Sequence, residues 1–205
     1  STRIRENVDL NRDISNFIDP VIQDFIYQNG LYLRDGQEKP MLNAGELEFQ
    51  WMDAPTPQLL ADLEFYNRNS DLVRNSIVEE KDRVLLLTEL ATGRRLGHVS
   101  YRMLSTSQLF ASIPDQELAN HVRLSSGGSV LLITSLSAVE TEKHGYYSQL
   151  LISELLAYAL EQECVYGLFR PHSRTMSQEL EDLLSRQGFT PHPGVNLFWE
   201  VDMHA

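Results

Sequence analysis

The segment from Ser129 to Glu163 constrains the fold more than any other part of the chain. A run rich in Leu and β-branched residues, SVLLITSLSAV, precedes a polar stretch that closes on Gly145 and then the apolar-periodic run QLLISELLAYALEQE. These parts predict a buried strand, a loop and an amphipathic helix over 148–163. The first amides of a helix and its dipole favour an anion. Because Gly145 has no Cβ, the backbone there can approach a ligand, so this unit is suited to hold a phosphate.

Periodicity along the rest of the chain predicts alternating strands and helices. The pattern from Glu46 alternates as in a half-exposed strand, and Thr56 and Pro57 indicate the cap and first turn of a helix. A hairpin is predicted around Gly93, followed by one short helix near 115–122. The order β α β β β α β α β that results is that of an α/β domain.

Residues 1–45 are predicted to form an N-terminal helical extension, and residues 46–205 the main domain. Asp19 and Pro20 indicate the cap and first turn of a helix that ends at Gly30. An apolar stripe on this helix is too wide to leave in water, so we expect it to dock on the main domain or on a second copy of the chain. The stripe consists of Val21, Ile22, Phe25 and Ile26.

Charge and cysteine content limit the class of partner. With 17 Lys and Arg against 29 Asp and Glu, the formal charge is −12, which disfavours nucleic acids and anionic membrane surfaces. Cys164 is the only cysteine, so an internal disulfide is ruled out and a reducing cytoplasm is expected. The spacing of His98, His121, His144 and His192 does not match that of metal ligands, and no metal is expected.

The order of elements over residues 46–203 resembles the GNAT superfamily of acyl-coenzyme A-dependent N-acyltransferases. Glu142–Tyr147 (EKHGYY) lies where that family has Arg/Gln-x-x-Gly-x-Gly/Ala, and Gly188-Phe189 is similar to its late Gly-Phe step. Glu142 itself departs from the motif, and Leu184 stands where the family often has a Tyr as general acid. The resemblance implies a mixed, splayed central sheet flanked by helices.

The resemblance also implies that acetyl-CoA or another acyl-CoA is the co-substrate. Its pantetheine arm would run along the fourth strand of the domain, at Leu136, Ser137, Ala138 and Val139. Its pyrophosphate would lie on the loop and helix start, at Lys143, His144, Gly145, Tyr146, Tyr147 and Ser148. Alternative interpretations are a solvated loop lysine at Lys143 and core packing for the two tyrosines.

Candidate catalytic residues follow from residue type and expected position. His172 follows the predicted strand CVYGLFR and has an ordinary pKa near neutrality, so we expect it to be the general base. Ser135 or Ser173 would be the proton donor, because Leu184 cannot donate. The alternatives are a plain loop histidine beside Pro171 and a serine that only completes the hydrogen bonding of its strand.

Two functions of different classes are compatible with these residues. The first is transfer of an acyl group from acyl-CoA to an amine of a small molecule or protein, which needs positioning and an oxyanion donor but no covalent intermediate. The alternative is a non-catalytic GNAT-fold module that binds a ligand or a protein. Acyl transfer from an acyl-carrier protein is disfavoured, because that acidic partner would be repelled by a charge of −12. A homodimer remains open.

Overall fold

A computed structural model gives the structure of the chain. It describes residues 2–9, 12, 14–29, 31–32, 47–69, 81–90, 92–113, 115–126, 128–139, 144–170, 176–192 and 198–203. The helices are α1 (Thr2–Asp9), α2 (Pro20–Gln28), α3 (Pro57–Asn69), α4 (Thr106–Ser112), α5 (Gln116–Ser126), α6 (His144–Glu161) and α7 (Gln178–Arg186). The strands are β1 (Leu47–Met52), β2 (Arg83–Glu89), β3 (Arg95–Leu104), β4 (Ser129–Ala138), β5 (Cys164–Phe169), β6 (Thr190–Pro191) and β7 (Trp199–Asp202).

The strands form one mixed sheet in the order β1-β2-β3-β4-β5-β7-β6. β4 and β5 are parallel, and every other neighbouring pair is antiparallel. A parallel pair needs a crossover connection, and α6 provides it between β4 and β5. The predicted mixed α/β sheet flanked by helices is therefore confirmed.

Different helices cover the two faces of the sheet. With α6 and α7, the core of the first face contains Leu131, Ile133, Leu151, Leu155 and Leu180. With α4 and α5, the core of the second face contains Leu109, Leu118, Val130, Leu132 and Leu168. Because neighbouring residues of β4 belong to different cores, these cores lie on opposite faces. α3 also packs on the second face, since its Leu59 and Leu63 contact Val84 and Leu86 of β2.

The predicted caps of two helices are present. Val21 N donates to Asp19 Oδ1 at 2.9 Å at the start of α2, and Leu59 N donates to Thr56 Oγ1 at 3.2 Å at the start of α3. The region between β3 and β4 differs from the prediction, because two helices, α4 and α5, stand where one was expected. Within the described part of the chain, no helix is long and apolar enough to cross a membrane.

Among the described residues, the apolar stripe of α2 does not dock on the main domain, and its docking on a second copy of the chain stays a prediction. Val21, Ile22 and Phe25 are 76%, 52% and 59% exposed, and only Ile26 is buried. Ile26 packs with Val8 and Ile14 in a small separate core of the N-terminal region. The helix period alone does not indicate which part of an apolar stripe is covered. In this structure the N-terminal core buries one of the four residues of the stripe. The boundary predicted between residues 45 and 46 lies outside the described residues and stays a prediction.

Candidate functional site

The sheet opens between β4 and β5. These strands pair from Ser129 opposite Cys164 to Ile133 opposite Phe169, and Arg170 N then donates to the Ile133 carbonyl at 3.0 Å. β4 continues to Ala138, which still pairs with β3 on its other side. The β5 strand therefore ends where half of β4 remains, and the two strands part beyond Ile133.

The hydrogen-bond pattern shows which backbone groups face this opening. Val139 N donates to the Leu96 carbonyl of β3 at 2.9 Å, and Val139 and Leu96 lie opposite each other in the register. Since alternate residues of an antiparallel strand direct their N–H and C=O to opposite sides, Leu136 and Ala138 direct theirs away from β3. This edge can pair with an extended ligand through its main chain.

The side chains of the predicted arm-binding segment are occupied in the fold. Leu136 is fully buried, and Ala138 and Val139 are 3% and 7% exposed in the core beneath α6. Ser137 is also buried. Contacts of this segment with a ligand are therefore limited mainly to backbone groups.

Close packing holds α6 against the sheet at this edge. A Cβ added to Gly97 would lie 2.7 Å from the Ser137 carbonyl oxygen and 3.1 Å from Leu151 Cδ1. Such distances are too short for a methyl group, so β3, β4 and α6 meet this closely only with glycine at position 97. The packing fixes the first turns of α6 next to the end of β4.

The start of α6 lies one turn earlier than predicted. His144 begins the helix, so Gly145 is a helical residue and not a loop residue before position 148. Tyr147 explains the difference, because it is 2% exposed and lies one turn before Leu151 on the buried face of the helix. Packing of this aromatic ring outweighs the weak helix propensity of glycine.

The first turn of α6 divides into an open side and a packed side. Among the described residues, a Cβ at Gly145 would meet no atom within 4 Å, and Tyr146 is 47% exposed. Tyr147 and Ser148 are buried, which confirms core packing for Tyr147, and burial raises the pKa of the Tyr147 hydroxyl. The hydroxyls of Ser137 and Ser148 have no hydrogen-bond partner among the described residues. The open side is thus the side from which an anion can reach the helix start.

Ser135 belongs to a connected set of buried polar groups on β3, β4 and the residue before β2, here called the buried network. Its members are Asp82, His98, Ser100, Arg102, Thr134 and Ser135. Ser135 Oγ is in hydrogen-bond contact with Ser100 Oγ and lies 3.4 Å from His98 Nε2. Ser135 is therefore oriented by its neighbours at the point where β4 leaves β5.

The other end of the buried network is an ion pair. Thr134 Oγ1 donates to Asp82 Oδ2 at 3.0 Å and lies 3.1 Å from Ser100 Oγ. Arg102 Nε donates to Asp82 Oδ1, and the side chains of both ionic partners are at most 7% exposed. A charge pair this deeply buried needs these additional hydrogen bonds to offset its desolvation.

His98 was not among the predicted site residues. Burial, with a smaller contribution from the positive charge of Arg95, lowers the pKa of His98 to about 3. The ring is therefore neutral at pH 7 and is too weak a base to hold a proton there. A signal for the network was present in the sequence, because His98, Ser100 and Arg102 alternate along one strand and so share one face.

The remaining predicted catalytic groups are placed as follows. His172, Ser173 and Lys143 lie outside the described residues, so their roles stay predictions. Leu184 is fully buried in the core beneath α7 and supplies no polar group. Cys164 is a buried thiol at the start of β5, as predicted, and burial raises its pKa.

Comparisons with known proteins identify the fold. No family model matches the sequence, and no curated protein matches it in sequence. The structure is similar to Arabidopsis thaliana NAA60 in complex with acetyl-CoA, with a TM-score of 0.52 and 16% identity over 78% of this chain and 99% of that chain. FeeM, an N-acyl amino acid synthase from uncultured soil microbes, gives a TM-score of 0.51 and 16% identity over 77% and 92% of the two chains.

The catalytic domain of the Tetrahymena GCN5 histone acetyltransferase in complex with coenzyme A is similar to the same degree. Its TM-score is 0.51, with 13% identity over 80% of this chain and 96% of that chain. These three likenesses show that the chain has the fold of the GNAT acyltransferases, which the sequence resemblance predicted. Identities of 13–16% show the fold alone.

Proposed function

We propose that this protein transfers an acetyl or other acyl group from acyl-CoA to an amine. The observation that carries the proposal is the opening between β4 and β5. There, the main-chain groups of Leu136 and Ala138 face away from β3, next to the first turn of α6. A strand edge followed by a helix start suits a ligand that has amides in an extended arm and a pyrophosphate at one end.

In this proposal the pantetheine arm pairs with the backbone of residues 136–139. The pyrophosphate lies on the open side of the first turn of α6, where no atom of the described residues is within 4 Å of a Cβ added to Gly145. Lys143 would add a positive charge. Similar folds that hold acetyl-CoA and coenzyme A support the assignment.

The proposed chemistry is direct attack on the thioester. The neutral amine attacks the carbonyl carbon, the C–S bond breaks, and the coenzyme A thiolate leaves and takes up a proton while the amine nitrogen loses one. His172 is the proposed base, with Ser173 as an alternative donor. Ser135 is the proposed hydrogen-bond donor to the carbonyl oxygen, and neutral His98 orients it from 3.4 Å.

The acceptor is proposed only as an amine. Among the similar folds, one is named as an N-acyl amino acid synthase and another as a histone acetyltransferase, so the fold is compatible with small and protein acceptors. A formal charge of −12 favours a cationic acceptor, because unlike charges attract it to the protein surface.

A non-catalytic binding module is the second candidate, and Leu184 favours it. In the resemblance, Leu184 takes the position of a tyrosine that acts as general acid, and here it is fully buried in the core. A chain without that hydroxyl can still bind acyl-CoA through backbone groups. Binding and turnover must therefore be measured separately.

Isothermal titration with acetyl-CoA tests the binding site. In Gly145→Asp, a carboxylate at the anion site should weaken binding by at least tenfold, which corresponds to about 1.4 kcal/mol. Gly145→Ala is the matched control, because its methyl group adds no charge and meets no atom within 4 Å in the part of the chain that the structure describes. Equal affinity of the Asp variant and the wild type would contradict the proposed pyrophosphate site.

Release of coenzyme A from acetyl-CoA, measured against a panel of amines, tests catalysis. His172→Ala should lower turnover by about 10²–10⁴-fold and leave acetyl-CoA affinity nearly unchanged, because a general base acts on the chemical step. Ser135→Ala should also lower turnover. If the wild type binds acetyl-CoA but acylates no amine, the binding-module alternative replaces the enzyme proposal.

A further inference from the structure

A second polar cluster lies on the face of the sheet that α4 and α5 cover, and we call it the histidine–glutamate cluster. It consists of His121 in α5, His192 just after β6, Glu200 in β7 and Tyr166 in β5. His121 Nε2 lies 3.5 Å and His192 Nε2 lies 3.9 Å from Glu200 Oε2. The two imidazole rings meet edge to face with centroids 4.9 Å apart. Helix α5 and the hairpin of β6 and β7, which are distant in the sequence, thus bring two imidazoles and a carboxylate to one point.

Tyr166 holds the carboxylate of this cluster in place. Its hydroxyl donates to Glu200 Oε2 and lies 3.4 Å from His121 Nε2. A hydroxyl that donates to a metal-binding carboxylate is the kind of support that fixes ligand geometry in metal sites.

We propose that His121, His192 and Glu200 bind a divalent transition-metal ion of the Zn²⁺ class. Two imidazole nitrogens and one carboxylate oxygen form a ligand set that suits zinc, whereas Mg²⁺ and Ca²⁺ prefer oxygen ligands alone. Three protein ligands leave a fourth position for water or another ligand. The histidine spacing in the sequence gave no sign of this set, because the ligands meet only in the folded sheet.

Binding of the ion requires the three ligand atoms to move only slightly closer to one another. The three ligand atoms lie within 4.8 Å of one another. Two ligands of a tetrahedral zinc ion at 2.0–2.1 Å are about 3.3 Å apart. The side chain of His121 is 47% exposed and can move toward the other two ligands. The side chains of His192 and Glu200 are 9% and 18% exposed, so packing restricts their movement.

The ion would connect two parts of the fold. His121 belongs to a helix inserted between β3 and β4, and His192 and Glu200 belong to the hairpin of β6 and β7 at the sheet edge. An ion that binds only the folded arrangement stabilises it by mass action. The site lies on the face opposite α6, so it is separate from the proposed pyrophosphate site and does not depend on the proposed function.

Titration of ZnCl₂ into the full chain, after dialysis against EDTA and then against metal-free buffer, tests this proposal by calorimetry. We expect one Zn²⁺ per chain, and at least tenfold weaker binding in His121→Ala and in Glu200→Gln. Glu154→Gln and Glu161→Gln are the matched controls, because each removes a carboxylate from α6, on the other face of the sheet. The controls should bind Zn²⁺ as the wild type does.

Thermal unfolding provides a second readout. ZnCl₂ should raise the Tm of the wild type and of both controls but not that of His121→Ala, whereas MgCl₂ should leave all of them unchanged. Since His121 is half exposed on a helix, its variant should keep the wild-type circular dichroism spectrum even if Glu200→Gln does not fold. The absence of saturable Zn²⁺ binding by the wild type, or equal binding by folded His121→Ala, would overturn the proposal.

Discussion

The buried network and the histidine–glutamate cluster occupy the same face of one sheet, yet they differ in their access to water. In the buried network, Asp82 and His98 have no exposed surface. In the histidine–glutamate cluster, the side chain of His121 is 47% exposed. Both contain histidine and carboxylate groups, so residue type does not determine their behaviour. Solvent access does, because it sets the cost of holding a charge.

The two clusters are also assembled differently. Strands β3 and β4 and the residue before β2 bring the side chains of the buried network together, and these side chains complete each other's hydrogen bonds. The histidine–glutamate cluster draws long side chains from α5, β7 and the end of β6, around one carboxylate. The first arrangement supports stability and orients Ser135, whereas the second gathers the ligand set of the proposed metal site around one carboxylate.

The largest effect is expected from breaking the ion pair of the buried network. Asp82→Asn would leave the Arg102 guanidinium buried without its counter-charge, which should lower the free energy of unfolding by about 3–5 kcal/mol. Asp53→Asn is the control, because Asp53 pairs with Arg83 at 3.3 Å at the surface, where an ion pair is worth about 0–1 kcal/mol. Urea unfolding measures both. Similar losses of unfolding free energy in the two variants would contradict the distinction between the buried and the exposed ion pair.

A smaller effect is expected from acid, through His98. Its pKa of about 3 in the folded state is below its ordinary value of 6.5, so the unfolded chain binds the proton more tightly and stability falls as the pH falls. Between pH 7.5 and 5 this group alone should remove about 2 kcal/mol of unfolding free energy. His98→Gln should lack this part of the pH dependence. If the unfolding free energy of the variant and of the wild type changed with pH in parallel, His98 would not be shielded from water.

The smallest effect is expected at the histidine–glutamate cluster without metal. Tyr166→Phe removes the hydrogen bond to Glu200, but water can reach this site, so the loss in unfolding free energy should be about 1 kcal/mol. A double-mutant cycle with Glu200→Gln isolates the coupling between the two side chains. A coupling free energy as large as the loss of unfolding free energy in Asp82→Asn would mean that both clusters are shielded from water.

Local features of the structure followed from local sequence signals. Asp19 and Thr56 cap the helices that they were predicted to cap, and the apolar run at Ser129–Ala138 is a strand buried along almost its whole length. Cys164 and Tyr147 pack in the core as expected. These signals are reliable because capping and side-chain periodicity depend on neighbours within a few residues.

Features that depend on distant partners were missed or misjudged. The start of α6 shifted because Tyr147 packs against a core that no local window contains. The exposed side of α2 at Val21 and Phe25 depends on what lies opposite, which the helix period does not report. The grouping of His121 with His192 depends on the position of an inserted helix over a sheet edge.

The sequence by itself therefore determined the class of fold and most of the order of strands and helices, and it predicted the segment from Leu136 to Ser148 as the cofactor site. The tertiary structure alone decided that Ser135 is held by His98 and Ser100, and that His121, His192 and Glu200 share one site. The physical reason is the distance along the sequence over which each kind of interaction acts. Backbone propensity, capping and periodicity act over a few residues, whereas burial and charge depend on groups that only folding brings together.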